Sequence, residues 1–184
     1  TILGGTGDDY IDAGTGNNTI DGGTGANRLY SGAGIDLITG GDGADDIRSG
    51  AGADTITGGL GNDYIDAGTG ANKVDAGAGD DRIIMSTEYV SVVGGVGTDQ
   101  LTLTGTNANA INLTTVGIEW ISAGDGNDNI DGSGQLVALT IDGNDGDDVL
   151  KGGTASDTIY GAEGDNTVSG NAGNDFLYAG SGND

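Results

Sequence analysis

GGTGDDYID (Gly4–Asp12), AGTGNNTID (Ala13–Asp21), GGTGANRLY (Gly22–Tyr30), SGAGIDLIT (Ser31–Thr39), GGDGADDIR (Gly40–Arg48), SGAGADTIT (Ser49–Thr57), GGLGNDYID (Gly58–Asp66), AGTGANKVD (Ala67–Asp75) and AGAGDDRII (Ala76–Ile84) follow one another with no residue between them. In every unit the second and fourth positions are glycine, the sixth is aspartate or asparagine, and the eighth is Ile, Leu or Val. A period this strict marks a stacked repeat architecture, in which each unit buries its apolar side only against its neighbours. The same phase returns at GGVGTDQLT (Gly94–Thr102), AGDGNDNID (Ala123–Asp131), GNDGDDVLK (Gly143–Lys151), GGTASDTIY (Gly152–Tyr160), GAEGDNTVS (Gly161–Ser169) and GNAGNDFLY (Gly170–Tyr178).

The first six residues of a unit read as a turn, because glycine takes positive φ without steric penalty and its bare backbone lets carbonyls converge. The last three read as a short strand. Side chains alternate along a strand, so the eighth residue points inward while the seventh and ninth point out. The expected core is one aliphatic residue per nine. That is little: ordering the backbone of nine residues costs more than burying one such side chain returns.

Composition narrows what closes the gap. The chain has 184 residues, 41 of them glycine, with no proline, cysteine or histidine. Asp and Glu number 29 against five Lys and Arg, a formal charge of −24. This charge argues against nucleic acid and against anionic lipid as partners. No apolar run approaches membrane-spanning length, so membrane insertion is not expected either. Without cysteine there is no disulfide framework, and without cysteine or histidine the usual zinc ligands are missing. An oxygen-seeking cation such as calcium leads the remaining candidates. A catalytic role is not expected, because the chain offers no histidine, no cysteine and almost no basic residue to activate a nucleophile. Carboxylate pairs such as Asp8–Asp9, Asp80–Asp81 and Asp147–Asp148 fall at the fifth and sixth positions of the repeat, which favours metal binding by the second member, with the first solvated.

The consensus glycine-glycine-x-glycine-x-aspartate-x-aliphatic-x resembles the repeats-in-toxin (RTX) calcium-binding nonapeptide, the hemolysin-type repeat, over most of the chain. The resemblance implies an all-β fold, a right-handed parallel β-roll (a β-solenoid) with two nonapeptides per coil and calcium ions in the turns. It also implies that sixth-position residues and backbone carbonyls of neighbouring turns hold the ions. One edge of the roll then presents Asp9, Asn27, Asp45, Asp63, Asp81, Asp99, Glu119, Leu139, Asp157 and Asp175. The other presents Asn18, Asp36, Asp54, Asn72, Val90, an irregular rung, Asp128, Asp148, Asn166 and Asp184. All the Asp and Asn residues of both rows are candidate metal ligands. Sites lined by Asn18, Asn27, Asn72 and Asn166 should be weaker or differently shared, since an amide brings a neutral oxygen. Metal should be sparse around Val90, Leu139 and the irregular rung.

Residues 1–184 read as one continuous roll: regular repeats over 1–84, irregular rungs with insertions and two regular repeats over 85–142, and regular repeats over 143–184. MSTEYVSVV (Met85–Val93) keeps an aliphatic eighth residue without glycines, and TTVGIEWIS (Thr114–Ser122) keeps Gly117, Glu119 and Ile121 in phase. Leu103–Leu113 and Gly132–Asp142 are eleven residues long and fit a rung with a two-residue insertion. Trp120 and Ile121 cannot both face inward in a regular strand.

Thr1–Leu3 occupies positions seven to nine of a repeat and Ala179–Asp184 positions one to six, so the ends would join as AGSGNDTIL. Either the chain is a segment of a longer array, or identical units continue one another head to tail as a filament. The resemblance implies an extracellular or cell-surface protein, exported by type I secretion and folding on calcium outside the cell. The expected host is a surface-layer protein, an adhesin or a filament. The alternative is the carboxy-terminal folding and secretion module of a toxin, protease or lipase whose catalytic domain lies elsewhere.

Overall fold

A computed structural model describes residues 1–86, 91–113 and 116–184. Among these, two compact units divide the chain, Thr1–Gln100 and Leu101–Asp184. Val90, with the rest of residues 87–90, and Thr114 and Thr115 lie outside the described residues, and with them the metal-poor turn expected at Val90.

Thr1–Gln100 contains β1 (Ile2–Thr6), β2 (Tyr10–Asp12), β3 (Thr19–Thr24), β4 (Arg28–Tyr30), β5 (Leu37–Asp42), β6 (Asp46–Arg48), β7 (Thr55–Leu60), β8 (Tyr64–Asp66), β9 (Lys73–Ala78), β10 (Arg82–Ser86) and β11 (Ser91–Val96). The odd-numbered strands form one parallel sheet in the order β1-β3-β5-β7-β9-β11, and β2, β4, β6, β8 and β10 stack in turn in another. Register advances by one coil of two nonapeptides: Ile20 pairs with Ile38, Ile38 with Ile56 and Ile47 with Ile65. Thr1–Gln100 is therefore an all-β parallel solenoid with two nonapeptides per coil, as its period implies.

The strand β12 (Gln100–Thr104) contains the division. Beyond it, Leu101–Asp184 carries β13 (Ala110–Asn112), β14 (Trp120–Ser122), β15 (Asn129–Asp131), β16 (Thr140–Asp142), β17 (Val149–Lys151), β18 (Thr158–Tyr160), β19 (Thr167–Ser169) and β20 (Phe176–Tyr178). β13-β15-β17-β19 form one parallel stack and β14-β16-β18-β20 another. Ile130 pairs with Leu150 and Ile121 with Ile141, twenty residues apart, so the two-residue insertion in Gly132–Asp142 precedes its strand. In Leu103–Leu113 it does not: Ile111 pairs with Ile130, nineteen residues on, so one extra residue precedes the strand and one follows it. Hydrophobicity decides this register, since a slip of one would turn Asn112 inward in place of Ile111.

The eighth-position ladder is the core. Ile20, Leu29, Ile38, Ile47, Ile56, Ile65 and Ile83 are sealed in the first unit, and Ile121, Ile130, Ile141, Leu150 and Ile159 in the second. Ile121 faces in while Trp120 is half-buried beside it, as strand alternation requires. The first position is buried as well, through Ser31, Ser49, Ala67, Ala76, Met85 and Ala123. The hydroxyl of Ser31 donates to the Ser49 carbonyl (2.9 Å) and that of Ser49 to the Ala67 carbonyl (3.0 Å). The core is therefore wider than one aliphatic residue per nine. Close stacking explains the turn glycines: Gly59 has φ +123°, and a Cβ there would collide with the Gly41 carbonyl one coil earlier.

Candidate metal centre

Each turn is tied to the next coil by the same bond at its sixth residue. The backbone N–H of Asp45 donates to Oδ1 of Asp63 (2.9 Å), that of Asp63 to Asp81 (2.7 Å) and that of Asp81 to Asp99 (2.9 Å). Upstream on this edge, Asp9 donates to Asn27 (3.0 Å) and Asn27 to Asp45 (2.7 Å). On the opposite edge Asn18 donates to Asp36, Asp36 to Asp54 and Asp54 to Asn72.

The second unit repeats the device. Asp128 donates to Asp148, Asp148 to Asn166 and Asn166 to Asp184, while the other edge runs from Leu139 to Asp157 to Asp175. Every candidate Asp and Asn at a sixth position thus joins a ladder. The irregular rung supplies a member that the repeat count leaves blank: Asn109, whose N–H donates to Oδ1 of Asp128 (2.6 Å). Its signal in the sequence is its place two residues before the aliphatic Ile111.

The fifth position runs a second ladder of opposite polarity. Asp8 accepts from the N–H of Ala26, Asp80 from Thr98, Asp147 from Asp165 and Asp165 from Asn183. Sixth-position side chains reach back to the preceding coil, and fifth-position ones reach forward where the residue is Asp or Asn, so a turn with both is clamped to both neighbours, whereas Ala26, Ile35, Ala44, Ala53 and Ala71 offer no side-chain acceptor. The first member of the Asp-Asp pairs is exposed, yet it is also a structural acceptor.

The ladder satisfies one carboxylate oxygen and strands the other. Oδ2 of Asp9, Asp36, Asp45, Asp54, Asp63, Asp81, Asp128 and Asp148 is buried with no hydrogen-bond partner. Ser49 lies near Asp54, but its proton is committed to Ala67. Asp63 is only 2% exposed and Asp128 1%. Burial pushes the Asp63 carboxyl up to about 7, partly offset by the backbone N–H of Asp45 and reinforced by Asp81 and Asp45 nearby. Asp128 and Asp148 are raised to about 6, and Asp45, Asp54 and Asp81 are raised, in each case chiefly by burial.

A buried carboxylate oxygen with no donor is costly unless a cation or a proton completes it. These residues fit an oxygen-seeking cation, and beside Oδ2 of Asp9, Asp45, Asp63 and Asp148 lies a backbone carbonyl of the next coil. A Cβ built on Gly4 would meet both Asp9 Oδ2 (2.8 Å) and the carbonyl of Gly22 in the next coil. No group of three or more His, Cys, Asp or Glu side chains converges among the described residues. Each turn offers at most one buried carboxylate, and coordination number has to come from carbonyls, which suits calcium's six to eight oxygens.

Not every candidate is alike. Oδ2 of Asp157 accepts from the N–H of Gly153 (2.6 Å) and is already satisfied; its unit carries Ala155 where others have the fourth glycine. Asp175 is half-buried and Asp184 exposed. Leu139 puts a buried methyl where other rungs put a polar atom.

A groove of about 630 Å³ follows the first edge, lined by Asp8, Asp9, Asn27 and Asp45 of the turns with Tyr10, Arg28 and Tyr64 of the strands. Arg48 pairs with Asp46 (3.0 Å) and lies over Tyr30 and Tyr64, and Arg82 lies over Tyr64. The outward tyrosines and arginines thus stack on one another.

The family model for the RTX calcium-binding nonapeptide repeat (4 copies) matches residues 1–29, 21–56, 57–84, 114–135, 140–159 and 151–184. No curated protein matches the chain.

Proposed function

Because the chain belongs to the RTX calcium-binding nonapeptide repeat family, we propose that it is a calcium-folded structural segment of a secreted surface-layer, adhesin or filament-forming protein. Repeats of this family bind calcium and typify proteins exported by type I secretion, and no catalytic domain is evident in the chain. One observation carries the reading: the rank of buried Oδ2 atoms without a donor, spaced one coil apart along both edges. Such a rank is unstable by itself and becomes a scaffold when divalent ions fill it.

The ligands in this reading are the sixth-position residues Asp9, Asp36, Asp45, Asp54, Asp63, Asp81, Asp99, Asp128 and Asp148, together with carbonyls of adjacent turns. Chemically, the ion supplies positive charge at a point where the chain gathers only oxygens. The protein supplies spacing, through the N–H to Oδ1 ladder that holds each carboxylate in one orientation. Secretion follows from the same coupling: a chain unfolded at low calcium and folded at high calcium is threadable inside the cell and rigid outside. The repeat phase carried through 85–142 supports reading 1–184 as one array.

Far-ultraviolet circular dichroism of the chain in millimolar calcium and in excess chelator tests the coupling. A β spectrum that collapses in chelator and returns with calcium is expected. An unchanged β signal in chelator would defeat the reading.

A further inference from the structure

Where the sixth residue is asparagine, one atom of its side chain sits where the orphaned oxygen sits in an aspartate rung. A Cβ built on Gly4 would meet Asp9 Oδ2 at 2.8 Å; on Gly22 it would meet Asn27 Nδ2 at 2.9 Å, and on Gly161 Asn166 Nδ2 at 3.0 Å. In each case its other neighbour is the first-position carbonyl of the next coil, from Gly22, Gly40 or Ala179. The spot is the same, and the chemistry is reversed from acceptor to donor.

The amide uses that donor on the surrounding carbonyls. Nδ2 of Asn18 donates to Gly16 (2.8 Å) and to Ser31 of the next coil (3.2 Å). Nδ2 of Asn109 donates to the carbonyls of Asn107 (3.0 Å) and Ala123 (2.9 Å), and also contacts Oδ1 of Asp128 (2.9 Å). Asn166 reaches Gly164 and Ala179 (both 3.3 Å), Asn27 reaches Gly25 (3.1 Å) and Asn72 reaches Ala67 (2.6 Å). The orientation is set independently: Oδ1 of Asn27, Asn72 and Asn166 accepts a backbone N–H from the preceding coil, which an amide nitrogen cannot do.

We infer that asparagine at the sixth position replaces the cation, its N–H groups binding the carbonyls that calcium would otherwise gather, so that these rungs are closed without metal. The inference rests on the calcium reading above and adds to it five metal-free positions, Asn18, Asn27, Asn72, Asn109 and Asn166. They are not weak ligands; they are metal-free staples among metal-bound turns. Leu139 does the same by exclusion, since a Cβ on Gly132 would collide with its Cδ1. Calcium content is then written rung by rung: a carboxylate calls for an ion, an amide stands in for one, and a methyl fills the space.

Calcium bound at saturation, measured by equilibrium dialysis on the whole chain, tests this. Asn72→Asp and Asn166→Asp are each expected to gain one ion, and Asp63→Asn to lose one. Hydrogen exchange in calcium supplies a second readout: Asp63→Asn keeps the Tyr64 amide protected, while Asp63→Ala, with neither ion nor amide, exposes it. Unchanged ion counts in the Asn→Asp variants, or equal loss of protection in Asp63→Asn and Asp63→Ala, would overturn the inference. A parent chain that binds no calcium would instead overturn the functional reading beneath it.

Discussion

At the sixth position a single atom decides what a turn demands, and at the second a single dihedral angle decides what it costs. In the nine repeats from Gly4 to Ile84 the second position is glycine, but in later repeats Asn144 (φ 65°), Ala162 (φ 65°) and Asn171 (φ 63°) hold a left-handed backbone there. Asparagine tolerates that region through local hydrogen bonds, as when Asn171 Oδ1 accepts from the Ser169 hydroxyl (3.2 Å). Alanine has no such compensation. Ala162→Gly is therefore expected to stabilise the calcium-loaded chain by about 0.5–1 kcal/mol, once the added freedom of the unfolded glycine is deducted. Thermal unfolding in saturating calcium checks this. An unchanged or lower midpoint would mean that the Ala162 methyl packs better than its backbone is strained. The converse, Gly59→Ala, puts a Cβ into the Gly41 carbonyl and is expected to disrupt its coil, seen as lost amide protection there.

At the scale of the strand, stability follows the eighth residue and its neighbours. Ile56 is sealed between Ile38 and Val74 in register, whereas Leu177 at the end of its stack is 47% exposed. Ile56→Ala should cost about 2–5 kcal/mol and Leu177→Ala less than about 1 kcal/mol, measured as shifts in unfolding in constant calcium. Similar costs would show that the stack is loose at its centre. These strands were legible in advance because period nine holds without exception from Gly4 to Ile84, and alternation then assigns inside and outside. Asn109 and the split insertion around Ile111 were not, because a count of eleven says that two residues are extra without saying where they go. Counting back from the aliphatic residue, the anchor that burial enforces, would have found Asn109. The forward-reaching fifth-position ladder was hidden for another reason: an aspartate that accepts an N–H and one that is only solvated look alike in sequence. Buried Ser31 and Ser49 likewise pass for turn residues until their hydroxyls are seen to donate to the next coil.

For the molecule as a whole, calcium, protons and net charge compete for the same oxygens. A formal charge of −24 opposes stacking, and about a dozen divalent ions would cancel it. Protons are the other way to neutralise the buried ranks. Burial holds Asp63 at about 7 and Asp128 and Asp148 at about 6, above the ordinary 3.8 of the unfolded chain. Between those values the folded metal-free chain binds more protons than the unfolded one, so its stability falls as pH rises. The destabilisation is absent below about pH 4, grows through pH 6 to 7, and is complete above. Two outcomes follow. In chelator, the chain should gain β signal on acidification from pH 8 to pH 4, provided light scattering shows no aggregation as its charge is lost. In calcium, binding must expel the protons held by these carboxyls, so affinity should drop as pH is lowered from 7.5 to 5.5, with protons released on each addition in weak buffer. Titration with a pH indicator reads that release directly. Calcium affinity independent of pH across this window would mean that the buried carboxyls are already ionised, and that carbonyl packing rather than charge opposes the metal-free roll.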